Sequence, residues 1–167
     1  MLLRPLLCAF SLLSLATTVL AQQPDRPVAV VVPAAGRPAS PAQSMQEFDQ
    51  LIAEPVREAR RTLAEAQRRY QAGLRPGETF YLTTRVQDPD GTFEQVFVLV
   101  RQWEGPYVQG TIANALEAVK TYAAGQEIEF TTSAVLDWTL VRANGAEEGN
   151  YVGKFLDIQR RLDALDR

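Results

Sequence analysis

The sequence predicts an α+β fold: a curved antiparallel sheet wound as a meander, packed by a long N-terminal helix, with a short C-terminal helix. Three observations carry this expectation. Apolar residues recur every three or four positions between residues 45 and 73, the period of a helix with one buried face. From Glu78 the period falls to two, in several runs separated by turn residues, as in half-buried strands. Phe155, Ile158, Leu162 and Leu165 then return to helical spacing. Helices at both ends with strands between them segregate onto a sheet, for which roughly four to six strands are expected.

The chain begins MLLRPLLCAFSLLSLATTVLA. Arg4 supplies a positive start, Leu6 to Leu15 an apolar run, and Val19 and Ala21 the positions before a cleavage point. Residues 1–21 therefore read as a signal peptide cleaved before Gln22, which predicts a periplasmic or secreted protein. The run is shorter than the roughly 20 apolar residues of a membrane span, so no stable anchor is expected after cleavage. Cys8, the one cysteine, lies inside the run; the mature chain then has no disulfide. Residues 22–44 carry Pro24, Pro27, Pro33, Pro38 and Pro41 and read as a Pro/Ala-rich disordered arm. Residues 45–167 read as a single domain.

In the first helix Phe48, Leu51, Ile52, Val56, Ala59, Leu63, Ala66 and Tyr70 line one face. Pro55 interrupts it, either as a kink or in the first turn of a second helix. Glu54–Arg57, Glu58–Arg61 and Glu65–Arg69 are favourably ordered ion pairs. Gly73 with Leu74 marks the end, glycine taking the left-handed position and leucine folding back. Phe80, Leu82, Thr84 and Val86 face one side of the first strand. Asp88-Pro89-Asp90-Gly91 makes a turn. Phe93 to Trp103 follows, apolar at every position from Val96 to Val100, as in a strand covered on both faces. Tyr107 to Ala113 returns as a third strand. Residues 114–125 fit a short helix or an irregular crossover. Gln126 to Thr131 and Trp138 to Arg142 alternate as strands. Asn144-Gly145 turns the chain, with Glu147-Glu148-Gly149 lengthening that loop, and Tyr151 to Lys154 reads as the last strand before the C-terminal helix.

The strand region, from FYLTTRVQDPDGTFEQVFVLVRQWEGPYVQGTIAN through AAGQEIEFTTSAVLDWTLV to GNYVGKF, resembles domain-of-unknown-function family 2314, the YegJ-type bacterial proteins. The resemblance rests on Gly125 to Phe130, on Asp137-Trp138, and on Gly149-Asn150-Tyr151, and spans roughly residues 50–160. It implies the same fold and an exported setting, and brings no activity with it. Two positions depart from the family pattern: Asn150 stands where a second glycine is usual, and Asn114-Ala115-Leu116 where an Asn-x-Pro is common.

The sequence has no histidine. That excludes Ser-His-Asp triads, Cys-His dyads and His-ligated zinc or haem. With 17 Lys+Arg against 20 Asp+Glu, a net charge of -3 argues against a nucleic-acid partner. Asp137-Trp138 could stack and hydrogen-bond a ring, or could serve as a turn cap and a core residue. Gly149 to Lys154 could cradle an anion, with Lys154 assisting, but lacks the Gly-Lys-Ser/Thr of a phosphate loop. The carboxylate pairs Asp88/Asp90, Glu127/Glu129 and Glu147/Glu148 sit in turns or on a solvent face, too uniform for acid–base work and too sparse for calcium. The arginines of the first helix alternate with glutamates, a solvated face. Trp103, Tyr107 and Tyr151 would form an aromatic binding surface if they emerged on one sheet face.

These readings converge on a non-enzymatic binding or interaction module of the bacterial envelope, with no cofactor or metal and with an envelope protein or glycan as partner. Its candidate contact residues are Trp103, Tyr107, Asp137, Trp138, Tyr151 and Lys154. The alternatives are a carboxylate-dependent hydrolase or lyase with Asp137 in the site, and a structural envelope protein. Oligomeric state is left open.

Overall fold

A computed structural model describes residues 40–166. The expected signal peptide, and the expected arm as far as residue 39, lie outside the described residues. The elements are α1 (Pro41–Leu51), α2 (Ala53–Gln71), β1 (Thr79–Gln87), β2 (Phe93–Glu104), β3 (Tyr107–Ile112), β4 (Glu127–Thr131), a 3-10 turn (Thr132–Ala134), β5 (Asp137–Val141), β6 (Glu147–Gly149) and α3 (Tyr151–Leu165). The fold is α+β, with six antiparallel strands in the order β4-β3-β2-β1-β5-β6. β1 to β4 form the expected meander. The β5–β6 hairpin adds to the other side of β1.

Three expectations about the elements need correction. The single long N-terminal helix is two helices meeting at Ile52, whose φ of -93° and ψ of 5° leave the helical region. In an unbroken helix the Pro55 ring would strike the Leu51 carbonyl; the break relieves that clash and puts Pro55 in the first turn of α2. Helix also starts earlier than residue 45, so the proposed arm overlaps α1 at residues 41–44. Ser40 Oγ accepts from Gln43 N (3.3 Å) and Gln43 Oε1 from Ser40 N (3.0 Å), a capping box with Pro41 in the first turn, where its missing N–H costs nothing. Finally, Tyr151 to Lys154 is the first turn of α3, and the last strand is Glu147–Gly149, which pairs with Thr139–Val141.

Register defines an inner sheet face. Leu82 pairs with Val98 and Trp138, Phe80 with Leu140, Val98 with Ile112, and Trp103 with Val108. A bulge between Val100 and Gln102 shifts the phase of β2, so Trp103 points to the same side as Val96, Val98 and Val100. Opposite the bulge sits Gly110, where a Cβ would meet the Leu99 carbonyl oxygen at 2.5 Å; only glycine permits that approach.

Two covers close this face. Over one half, Ala59, Leu63, Ala66 and Tyr70 of α2 pack on Phe80, Leu82, Trp103, Trp138 and Leu140. Over the other, the irregular segment 113–126 sets Leu116, Val119 and Tyr122 on Val86, Val96, Val98 and Ile112. α1 and α3 make a third cluster, with Phe48 and Ile52 against Val152 and Leu156. On the surface of α2, Glu54–Arg57 and Glu58–Arg61 pair as expected, but Glu65 takes Arg68. Arg69 instead reaches Glu148 of β6, which also binds Arg142.

Candidate functional site

The six candidate residues do not share one surface. Trp103 is 3% exposed, held among Tyr70 and Phe80. Its neighbour in the turn, Tyr107, pairs with Glu104 and Thr131 and so faces the opposite, outer side of the sheet. Trp138 is also buried: it stacks on Phe80 (6.1 Å, 6°) and donates from Nε1 to Thr62 Oγ1 at 2.9 Å. Tyr151 is half-buried, edge-on to Trp138. Lys154 is exposed, but its Nζ donates to the Gly149 carbonyl at 2.7 Å. The aromatic surface expected from Trp103, Tyr107 and Tyr151 is therefore reduced to Tyr107.

Asp137 opens β5 and is 1% exposed. Its Oδ1 accepts from Trp138 N and its Oδ2 from Val152 N, both at 2.7 Å. The second bond caps the first turn of α3, whose own cap residue, Asn150, makes no side-chain cap bond. Asn150 is left-handed (φ 52°, ψ 45°), a conformation open to glycine and asparagine, so this departure from the family pattern preserves the turn. Gly149 before it packs so closely that a Cβ would lie 2.1 Å from the Trp138 carbonyl oxygen. Burial pushes the Asp137 carboxyl up to about 7, against the lowering effect of the Val152, Trp138 and Tyr151 N–H groups and of Lys154.

Tyr107 is 69% exposed at the β2–β3 turn, Glu104 to Tyr107. Gly105 takes a positive φ of 54° there, and its carbonyl accepts from Gln67 Nε2 of α2 at 2.9 Å. The Pro106 carbonyl accepts from Thr132 N at 2.8 Å. The turn is thus tied down on both sides. An open pocket of about 440 Å³ lies beside the ring, lined by Gln102, Glu104, Tyr107, Gln109, Glu129 and Thr131 together with Val108 and Phe130. Gln102 Nε2 donates to Glu104 Oε1 at 2.7 Å, while Gln109 and Glu129 face each other across β3 and β4. The patch offers one apolar ring face inside a ring of amide and carboxylate groups. Two further pockets, about 380 and 500 Å³, lie at Arg60, Arg85 and Asp49, and at Asp88, Thr121 and Tyr122. Asp137 lines none of the three.

Sequence reasoning missed three polar residues that hold segment 113–126. Glu94 is buried, and its carboxylate accepts from the N–H groups of Glu117, Ala118 and Val119 at 3.0–3.3 Å. Asp88 accepts from Lys120 N (2.8 Å), Thr121 N (3.0 Å) and Thr121 Oγ1 (2.5 Å). These bonds hold its carboxyl below the usual carboxylate range, the Thr121 hydroxyl having the largest effect. Asn114 Oδ1 accepts from Phe97 N at 2.8 Å, extending the β3 ladder by a side chain. A signal for Glu94 was present: it shares the inward phase of Val96, Val98 and Val100, and an acid in that phase demands partners.

A family model described as "Uncharacterized protein conserved in bacteria (DUF2314)" matches residues 44–159, well over half of the chain. The chain belongs to that family. No curated protein and no solved structure matches it. No helix among the described residues is long and apolar enough to cross a membrane.

Proposed function

We propose that this member of the DUF2314 family is an exported, non-enzymatic binding module of the bacterial envelope, and that it engages an envelope glycan through Tyr107. The observation behind this reading is the exposure of that one ring on a tied-down turn, between Gln102, Gln109, Glu104 and Glu129. An aromatic face stacks on the C–H face of a sugar, and flanking amides and carboxylates meet its hydroxyls from both sides. Export rests on the signal-like residues 1–21. Titration with soluble peptidoglycan fragments, followed by amide NMR, tests it. Shifts should centre on residues 102–109 and 127–131 and vanish in Tyr107→Ala, whose fold is unchanged. Shifts that persist in Tyr107→Ala, or none in the folded wild type, would remove the reading.

The hydrolase or lyase reading draws support from the raised Asp137 carboxyl. Against it stand the burial of that group and the backbone N–H groups that occupy both its oxygens. A helix cap accounts for the same facts.

A further inference from the structure

α3 buries only part of its apolar surface. Val152 and Leu156 face Phe48 and Ile52, and Phe155 packs at the margin of that cluster. Beyond it the helix leaves the body: from Arg160 to Asp166 every residue is exposed. Ile158, Leu162 and Leu165 are 56%, 50% and 81% exposed. A single exposed leucine needs no explanation. Three large apolar residues on one stripe of a projecting helix do.

Their spacing is informative. Phe155, Ile158, Leu162 and Leu165 are separated by three, four and three residues, the a-d-a-d order of a two-stranded coil. In that register Lys154 and Arg161 occupy the g positions beside the seam, and Asp166, the C-cap residue of α3, the following e position. In a parallel pair, g of one helix meets the e residue five positions later on the other, so Arg161 meets Asp166 of the second copy on both sides. In an antiparallel pair the g positions face each other, and Lys154 and Arg161 would repel. Neither Arg161 nor Asp166 has an ion pair among the described residues. The a and d spacing and the flanking charges thus select the same partner.

We infer that the projecting half of α3 pairs in parallel with α3 of a second copy of this chain. Ile158, Leu162 and Leu165 form the seam, and Arg161–Asp166 pairs flank it. The seam is short, so the dimer is weak and concentration-dependent, and it does not involve the Tyr107 surface.

Sedimentation velocity over a concentration series tests the pairing. The purified protein should shift from monomer to dimer, and Leu162→Glu should remain monomeric at every concentration with an unchanged melting temperature. Arg161→Asp alone and Asp166→Arg alone should each weaken the dimer at least several-fold, while Arg161→Asp combined with Asp166→Arg restores it. A wild type that stays monomeric throughout overturns the proposal. So does a dimer indifferent to Leu162→Glu, or a double variant no tighter than the singles. Binding of a monomer to lipid vesicles, lost in Leu162→Glu, would put a bilayer in place of the second copy.

Discussion

Over Phe80, Trp103 and Trp138 the inner face of the sheet is closed by a helix; over Val86, Val96 and Ile112 it is closed by a segment with no regular structure. The two covers differ in what they must borrow. α2 satisfies its backbone internally, so beneath it the sheet supplies apolar contact, and the polar ties run through α2 side chains: Thr62 to Trp138, Gln67 to the Gly105 carbonyl and Arg69 to Glu148. Segment 113–126 has few internal partners for its N–H groups. A buried backbone donor without an acceptor is costly, so Glu94 of β2 lends its carboxylate where Val119 turns inward, and Asp88 of the β1–β2 turn holds the exposed Lys120 and Thr121 that follow. An irregular segment can serve as a core layer when the strands beneath it carry acceptors in the inward phase.

The contrast can be broken at its strongest point by comparing Phe80→Ala with Glu94→Ala. The first removes the ring shared by Tyr70, Trp103 and Trp138 and should cost about 3–5 kcal/mol, lowering hydrogen-exchange protection throughout the sheet. The second leaves the buried Val119 N–H and the part-buried N–H groups of Glu117 and Ala118 unpaired, at about 1–3 kcal/mol. It should open amides 117–119 while leaving those of α2 protected. Equal loss of protection everywhere in Glu94→Ala would mean that the segment is no separate unit.

The carboxyls beside the two covers should answer pH with opposite sign. Asp137, beside the helical half, has a carboxyl raised from 3.8 to about 7. The folded state holds that proton more tightly than the unfolded chain, so its contribution is fully present below pH 3.8 and is lost as pH rises towards 7. Asp88, which holds the irregular segment from the β1–β2 turn, is lowered. Its contribution is present above the ordinary carboxylate value and disappears as pH falls through the folded value. Melting temperatures of wild type against Asp137→Asn should diverge between pH 4 and 7, and against Asp88→Asn only below about pH 4. Parallel curves in either comparison would contradict the corresponding assignment.

The smallest effect separates the two tryptophans of the helical half. Trp138 Nε1 has Thr62, whereas Trp103 Nε1 is buried without a partner among the described residues. Trp138→Phe should therefore cost about 1 kcal/mol more in urea unfolding than Trp103→Phe. Equal costs would leave the Thr62 hydrogen bond without net effect.

The helical half was largely legible in the sequence. The period of Ala59, Leu63, Ala66 and Tyr70 and the alternation of Phe80 and Leu82 mark their elements, because each depends on nearest neighbours along the chain. The start of α1 was equally local: Ser40 and Gln43 spell a capping box, obscured by the prolines around it. The misreading of Tyr151 to Lys154 is of another kind. Tyr151, Val152 and Gly153 fit a strand period, and the helix starts there because Asn150 turns left-handed and Asp137, distant in sequence, caps it. The irregular cover was illegible for the same reason, since its fixed shape comes from Glu94 and Asp88 on other elements. Of the six candidate contact residues, exposure decided most. Type alone could not separate Tyr107 in solvent from Trp103 in the core: the two sit on opposite faces of the β2–β3 hairpin, and the bulge between Val100 and Gln102 hides the inward phase of Trp103 from the alternation of β2.

The strand order also sets a sequence of events for a chain folding as it is made. β1 can pair with β2 at once, through a hairpin turn of a few residues, β3 can follow through an equally tight turn, and β4 can follow across segment 113–126. Its other neighbour, β5, begins only at Asp137. Until then the Thr79–Thr83 side of β1 is an open edge, a template for any other strand nearby. Closing it requires a loop of about fifty residues, an entropic cost that short-range pairing does not meet. The meander therefore assembles early from contacts close in sequence, and the β5–β6 hairpin with the helix it carries completes the sheet last.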